Sequence, residues 1–167
     1  MIVLAAAAPA GVGSPLWYAT RSAGTVSLVL LTASLVLGMA TSARLELGSG
    51  VRFLLQGLHR NLSLLVLVFL LLHIATALLD PFAGLGLSDA LLPFTSAYRP
   101  LWLGLGVVAA ELFGALVVTS LLRSHIGVWW WRLVHWASYA CWPAALLHAI
   151  GTGSDSSSRW FFGASYS

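Results

Sequence analysis

The sequence predicts an all-α integral membrane protein, a helical bundle with four clear transmembrane helices. Three observations predict it. Of 167 residues 59% are hydrophobic and 8% charged, and the mean hydropathy is +0.92, far too apolar for a soluble domain of this length. Apolar windows near residues 17–40, 53–79, 100–122 and 129–150 each meet the roughly 20 residues that a helix needs to cross a hydrocarbon core of about 30 Å. Two of those windows carry histidines in matched pairs, ionisable groups that a lipid-facing helix does not hold without a reason.

The chain opens with MIVLAAAAPAGVGSP, which has a signal-like Ala run but no basic n-region, so residues 1–16 read either as a poor signal sequence or as a short leader, the second being preferred. Residues 17–151 then form one membrane domain. SARLELGSGVR separates the first two spans, the long DPFAGLGLSDALLPFTSAYRP the second and third, and RSHIGVW the last two; Gly, Pro and Ser mark all three as breaks. The middle segment is long enough for a lid or a binding surface. In span three Gly106, Ala110 and Gly114 recur every four residues, a small-residue face that admits a close helix or a flat ligand. Residues 152–167 are a polar tail or the start of a further helix. No internal repeat is evident beyond the paired histidines.

All eight basic side chains are Arg, and the net charge of +3 is spread along the chain, so nucleic acid is not the expected partner; membrane lipid is. Arg44, Arg52, Arg60, Arg123 and Arg132 fall at the junctions of spans one with two and three with four, against Arg21, Arg99 and Arg159 on the opposite side. Five against three places those junctions in the cytoplasm and both termini outside a plasma membrane. Asp80, Asp89 and Asp155 fall on the outer side. Cys141 is the one cysteine, so neither a disulfide nor a thiolate cluster forms within one chain.

Span two carries His59 and His73, fourteen residues apart, and span four carries His135 and His148, thirteen apart. At 1.5 Å per residue these separations are about 21 and about 20 Å, so each helix offers one His near either membrane face. The two spans run in the same direction, so His59 lies level with His135, and His73 with His148. Two histidines per layer are too few for structural zinc. They suffice for haem iron, whose porphyrin fills four positions itself, and two facing imidazoles complete a six-coordinate b-type centre. One objection is geometric: fourteen residues return to within about 40° of the same face, but thirteen miss it by about 140°. Span four therefore needs a distortion, and Pro143 between its histidines is the expected cause. His125 has no such partner and reads as a solvated residue of a basic loop.

With these residues in place the chain resembles the ferric reductase-like transmembrane superfamily, which includes NADPH oxidases, ferric reductases and the haem-binding membrane subunit of methionine sulfoxide reductase systems. The likeness rests on the two spaced histidine pairs and on LWYATRSAGTVSLVLLTASLVLG, LHRNLSLL, PFTSAYRPLWLGLG and TSLLRSHIGVWWWRLVHWASYACWPAALLHAIGTGSD. It is nearest in kind to small actinobacterial members. The resemblance implies two stacked b haems, with His59 and His135 as axial ligands on the cytoplasmic side and His73 and His148 on the outer side. It implies electron transfer from a cytoplasmic or quinol donor to an outward acceptor such as ferric iron or a redox protein. No GxGxxG-containing βαβ unit follows span four, so no flavin or NADPH site is expected here, and a separate flavoprotein reductase or membrane quinol would be the donor.

Arg60 and Arg132, with Arg123, are placed either to pair with propionates of the inner haem or only to set topology. Arg99 either holds outer propionates, attracts an anionic ferric chelate or anchors the interface. Arg21, just inside span one, needs a partner, for which an outer propionate or Asp80 is expected. Glu111, the only acid well inside a span, either relays protons from quinol or accepts a bond from a neighbouring helix, the second being preferred. Trp129, Trp130 and Trp131 read as an interfacial belt, and Trp136, Tyr139 and Trp142 as packing. The rival reading is a haem-free scaffold or proton-relay subunit using the same histidines; a second rival is a quinol-binding subunit with one haem.

Overall fold

The computed structural model describes residues 14–42, 48–81 and 84–153. Seven helices lie among them: α1 (Pro15–Ser42), α2 (Ser49–Leu79), α3 (Leu87–Leu91), α4 (Pro100–Leu121), α5 (Arg123–Ile126), α6 (Val128–His135) and α7 (Ser138–Thr152). The leader up to residue 13, the tail from 154, and Arg44, Asp155 and Arg159 with them, lie outside the described residues. No strand occurs among the described residues.

The helix ends follow local chemistry. Ser14 Oγ accepts the Trp17 N–H at 3.0 Å, with Pro15 in the first helical position, so α1 has an N-cap and a preset φ. α2 stops at Asp80, whose N–H bonds the Thr76 carbonyl at 3.0 Å. The following Pro81 pushes Asp80 to extended backbone, φ −81° and ψ 113°. Gly127, at φ 76°, makes the reversal into α6 that a residue with a Cβ resists.

α1, α2 and α4 are long and apolar enough to cross a membrane. The fourth expected span is not one helix: residues 129–150 are divided between α6 and α7, of 8 and 15 residues. Nor is the break at Pro143, which lies inside α7. It falls at Trp136–Ala137, where the N–H groups of Ala137, Tyr139 and Ala140 bond carbonyls three residues back, at 2.9, 3.1 and 3.0 Å. The proline ring conflicts with the carbonyl four residues earlier, that of Tyr139, and the tightened turn lies just upstream of that point. Each tightened residue turns about 120° instead of about 100°, so three recover about 60° of the roughly 140° by which thirteen residues miss one face.

α1 packs along α2, and α4 along α6 and α7, while contacts between the two pairs are sparse. Where the pairs meet at mid-depth, Val66, Ala109, Phe113, Leu116 and Cys141 form the buried core, and Trp142 Nε1 donates to Thr32 Oγ1 at 2.9 Å. Around this core most large apolar side chains of α2, Leu64, Leu65, Val68, Leu71 and Leu72 among them, are exposed. An outer surface of this kind belongs in lipid: the chain is an α-helical membrane protein.

The segment between α2 and α4 folds back over one end of the bundle. Phe94 lies on Gly104, where a Cβ would overlap its ring. Arg99 has left-handed backbone, φ 44°, and its guanidinium donates to the Gly151 carbonyl. It thereby ties the start of α4 to the last turn of α7 and satisfies an orphan helix-end carbonyl.

Candidate functional site

The four span histidines meet as two pairs. His59 and His135 lie with ring centroids 6.3 Å apart and planes at 72°; His73 and His148 lie 6.1 Å apart at 81°. In each pair one ring comes from the α1–α2 half and the other from the α4–α7 half, so the layers sit across the seam between two helix pairs. The seam is closed at mid-depth by Val66, Phe113 and Cys141.

Three of the rings are held by a backbone carbonyl on a neighbouring helix. His59 Nδ1 bonds the Ser34 carbonyl at 2.9 Å, His73 Nδ1 that of Thr20 at 2.8 Å and His148 Nδ1 that of Trp102 at 2.9 Å. A carbonyl oxygen can only accept, so each Nδ1 carries the proton, and in the neutral imidazole Nε2 is then the nitrogen with a free lone pair. This is the arrangement that metal-ligating histidines use. Ser34 Oγ adds a contact to His59 Nδ1 at 3.3 Å and bonds Ser63 Oγ at 2.8 Å.

The same three rings rest on glycines. A Cβ on Gly24 would come within 2.9 Å of the His73 ring and one on Gly38 within 3.2 Å of the His59 ring, and one on Gly106 would overlap the His148 ring. On α1 the accepting carbonyl and its glycine recur as Thr20 with Gly24 and Ser34 with Gly38, fourteen residues on. That repeat matches the spacing of His59 and His73 on the antiparallel α2. It was present in the sequence as a Thr/Ser-x3-Gly pair in TRSAG and SLVLG. Because the working atoms are main-chain oxygens, side-chain chemistry gave no signal for it.

His135 differs. Among the described residues its buried Nδ1 has no hydrogen-bond partner and no glycine lies against it, and its ring is stacked on Trp131 at 4.7 Å and 27°. Trp131 is covered on its own side by Arg123, whose Cζ is 4.5 Å from the ring centroid, and its Nε1 donates to Ser120 Oγ at 3.3 Å. Of the expected tryptophan belt, Trp129 and Trp130 are exposed, while Trp131 turns inward to the histidine.

A cavity of about 350 Å³ opens around the His73/His148 layer, within the size range of ligand pockets. Thr20, Gly24, Gly106 and Ala110 line its helical walls, and Leu85, Asp89, Ala90 and Tyr98 from the α2–α4 segment cover its end. Arg21 and Asp80 also line it, with the Arg21 Cζ 4.7 Å from the Trp17 ring centroid. Arg99, on the Gly151 carbonyl, is not in the lining. Arg60 and Arg132 are exposed at the opposite end. His125 is exposed, with Ser124 Oγ 3.1 Å from its Nδ1. Glu111 is exposed at the middle of α4 and touches neither layer.

Haem suits the residues present. A metal held between two imidazoles by bonds of about 2.0 Å spaces the ring centroids by roughly 6 Å, which both pairs meet. Among the described residues no three of His, Cys, Asp and Glu come together, so a metal here must bring its remaining ligands with it, as porphyrin iron does. At the His73/His148 layer the glycines and the apolar cavity leave room for a flat macrocycle edge.

No curated protein and no solved structure matches the chain. The family described as ferric reductase like transmembrane component matches residues 23–152, from the first turns of α1 to the last residue of α7 and so across all four histidines, and the chain belongs to that family.

Proposed function

We propose that the protein is a bis-haem, b-type transmembrane electron carrier. It takes electrons from a cytoplasmic flavoprotein reductase or from membrane quinol and delivers them to an outward-facing acceptor, of which ferric iron or a redox protein are the candidates. The observation that carries the proposal is the spacing of both histidine pairs, 6.3 and 6.1 Å between ring centroids, with Nδ1 engaged on three of the four rings.

When bound, haem would supply a one-electron iron couple. The chain's own residues do the rest. His59 with His135, and His73 with His148, would hold the two groups. Carbonyls of Ser34, Thr20 and Trp102 fix three of the imidazoles in the ligating tautomer and raise their basicity. Val66, Phe113 and Cys141 exclude water between the layers. Arg21, at the wall of the outer cavity, is placed to meet propionates, and Arg60 and Arg132 flank the inner layer, where long side chains reach both lipid headgroups and propionates.

α6 and α7 together make the fourth crossing of the plasma membrane. The Arg excess near Arg52, Arg60, Arg123 and Arg132 orients the His59/His135 layer toward the cytoplasm. The α2–α4 segment then covers the outer layer.

Purified protein is expected to give a b-type dithionite-reduced minus oxidised spectrum and two haems per chain by pyridine haemochrome. Colourless protein after expression with ample haem would reverse the proposal and leave the histidines to helix packing or proton relay. A second measurement tests the ring geometry. Imidazole planes at 72° and 81° would leave the dxz and dyz orbitals of a bound iron nearly degenerate, so the oxidised protein should show strongly anisotropic low-spin resonances with one large g value. A purely rhombic spectrum would contradict crossed ligand planes.

A further inference from the structure

The two layers are built alike on the α1–α2 side and unlike on the other. His59 and His73 each have a carbonyl and a glycine from α1. Across the seam, His148 has the Trp102 carbonyl and Gly106 from α4, while among the described residues His135 has neither a carbonyl nor a glycine, and its buried Nδ1 is unbonded. Its backbone is also the least anchored of the four. His135 is the last residue of α6, a helix of 8 residues, and the tightened turn at Trp136–Ala137 follows at once. What holds the ring is the face of Trp131, itself covered by Arg123.

From this asymmetry, and resting on the bis-haem reading, we propose that His135 is the displaceable ligand of the pair. The His59/His135 layer, and not the His73/His148 layer, then binds a small neutral π-acceptor such as carbon monoxide in the reduced state. The exchange is a ligand substitution: the bond from iron to the His135 nitrogen breaks, a bond from iron to the carbon of CO forms, and no electron or proton is transferred. A partner on the far nitrogen orients a ligating imidazole and raises its basicity, and loss of such a partner typically weakens binding about 10- to 100-fold. The outer layer keeps this support on both rings and the inner layer on one.

Trp131 is the positioning residue in this arrangement. It stacks on His135, and it restrains the swing by which the ring would leave. Replacing it with leucine removes the stack, whereas phenylalanine retains a ring face.

The test uses the full chain in detergent or nanodiscs, reduced with dithionite, with CO as the probe. The expected result is a Soret shift in one of the two haems, half the total absorbance. Rebinding after flash photolysis should be several-fold faster in Trp131→Leu and near the parent rate in Trp131→Phe. The His73→Ala/His148→Ala protein should keep the responding haem. If that variant does not fold, the half-amplitude in the parent and the Trp131 series make the assignment. Two haems with no CO response, a response of both, a response that disappears with the outer pair, or one indifferent to Trp131→Leu in a folded protein each overturn the inference while leaving the electron-carrier reading intact. Protein that purifies without haem overturns that reading and the inference with it.

Discussion

Alanine at both His73 and His148 is expected to halve the haem content, from two per chain to one, with the remaining spectrum that of the inner layer. The complementary change at His59 and His135 should remove the other half. The two losses are expected to be equal and separable because the layers share no ligand and the buried core around Val66, Phe113 and Cys141 lies between them. The fold should survive. The carbonyls of Thr20 and Trp102 lie in α1 and α4 and have a second lone pair for the helix bond, so removing an imidazole leaves no orphan acceptor. Pyridine haemochrome on each variant, normalised to protein, reads the result, with helicity by circular dichroism as the control. Loss of all haem from either variant, or loss from only one, would instead favour a single-haem subunit and deny a ligand role to the silent pair.

A single His→Ala change is milder, since one imidazole and the surrounding apolar wall remain. For His148→Ala a five-coordinate, high-spin haem is the expected product, and for His135→Ala the change in haem retention should be smaller than for His59→Ala. The order follows from the unbonded Nδ1 of His135 against the Ser34 contacts of His59.

The histidine pairing was legible in the sequence because it needs only two numbers, a spacing and a helical rise. With spans two and four parallel, separations of fourteen and thirteen residues put the rings level, and they meet at 6.1 and 6.3 Å. The phase problem in the fourth span was legible too, but not where it is resolved. Pro143 marks a helix that cannot be regular, and the chain takes up the irregularity nearly two turns earlier, at Trp136–Ala137, leaving one expected span as two helices. The part played by α1 was hidden for a different reason. Thr20 and Ser34 contribute main-chain oxygens, and Gly24 and Gly38 contribute the absence of a side chain, so nothing in their chemistry announces a site. Arg99, a charge near the outer end, reads in sequence as an anion ligand or an interfacial anchor, and in the fold its guanidinium donates to the helix-end carbonyl of Gly151. Trp131 reads as one of three belt residues until the turn at Gly127 directs it inward.

The glycines then supply the second large effect, and it is graded. Alanine at Gly106 is expected to displace the His148 ring and with it the Nδ1 bond to the Trp102 carbonyl, since the added carbon would fall on the ring itself. Overpacking of this kind costs about 1–3 kcal/mol, and the lost bond about 0.5–1.5 kcal/mol more, enough to empty most of the outer layer of haem under purification. Gly24→Ala, with 2.9 Å to the His73 ring, should weaken the same layer less, and Gly38→Ala, with 3.2 Å to the His59 ring, should affect the inner layer least, because a few tenths of an ångström relieve it. Gly114→Ala is the internal control. Among the described residues no other helix or side chain comes within 4 Å of its added carbon, so the change should leave both haems in place and raise thermal stability by the helix preference of Ala over Gly, about 0.8–1 kcal/mol. Haem retention and melting temperature measured across the four variants should therefore rank Gly106, Gly24, Gly38, Gly114 from most to least damaging. If Gly106→Ala retained both haems while Gly114→Ala lost one, the rings would not be seated on these glycines, and the small-residue face of α4 would be serving another helix instead of the site.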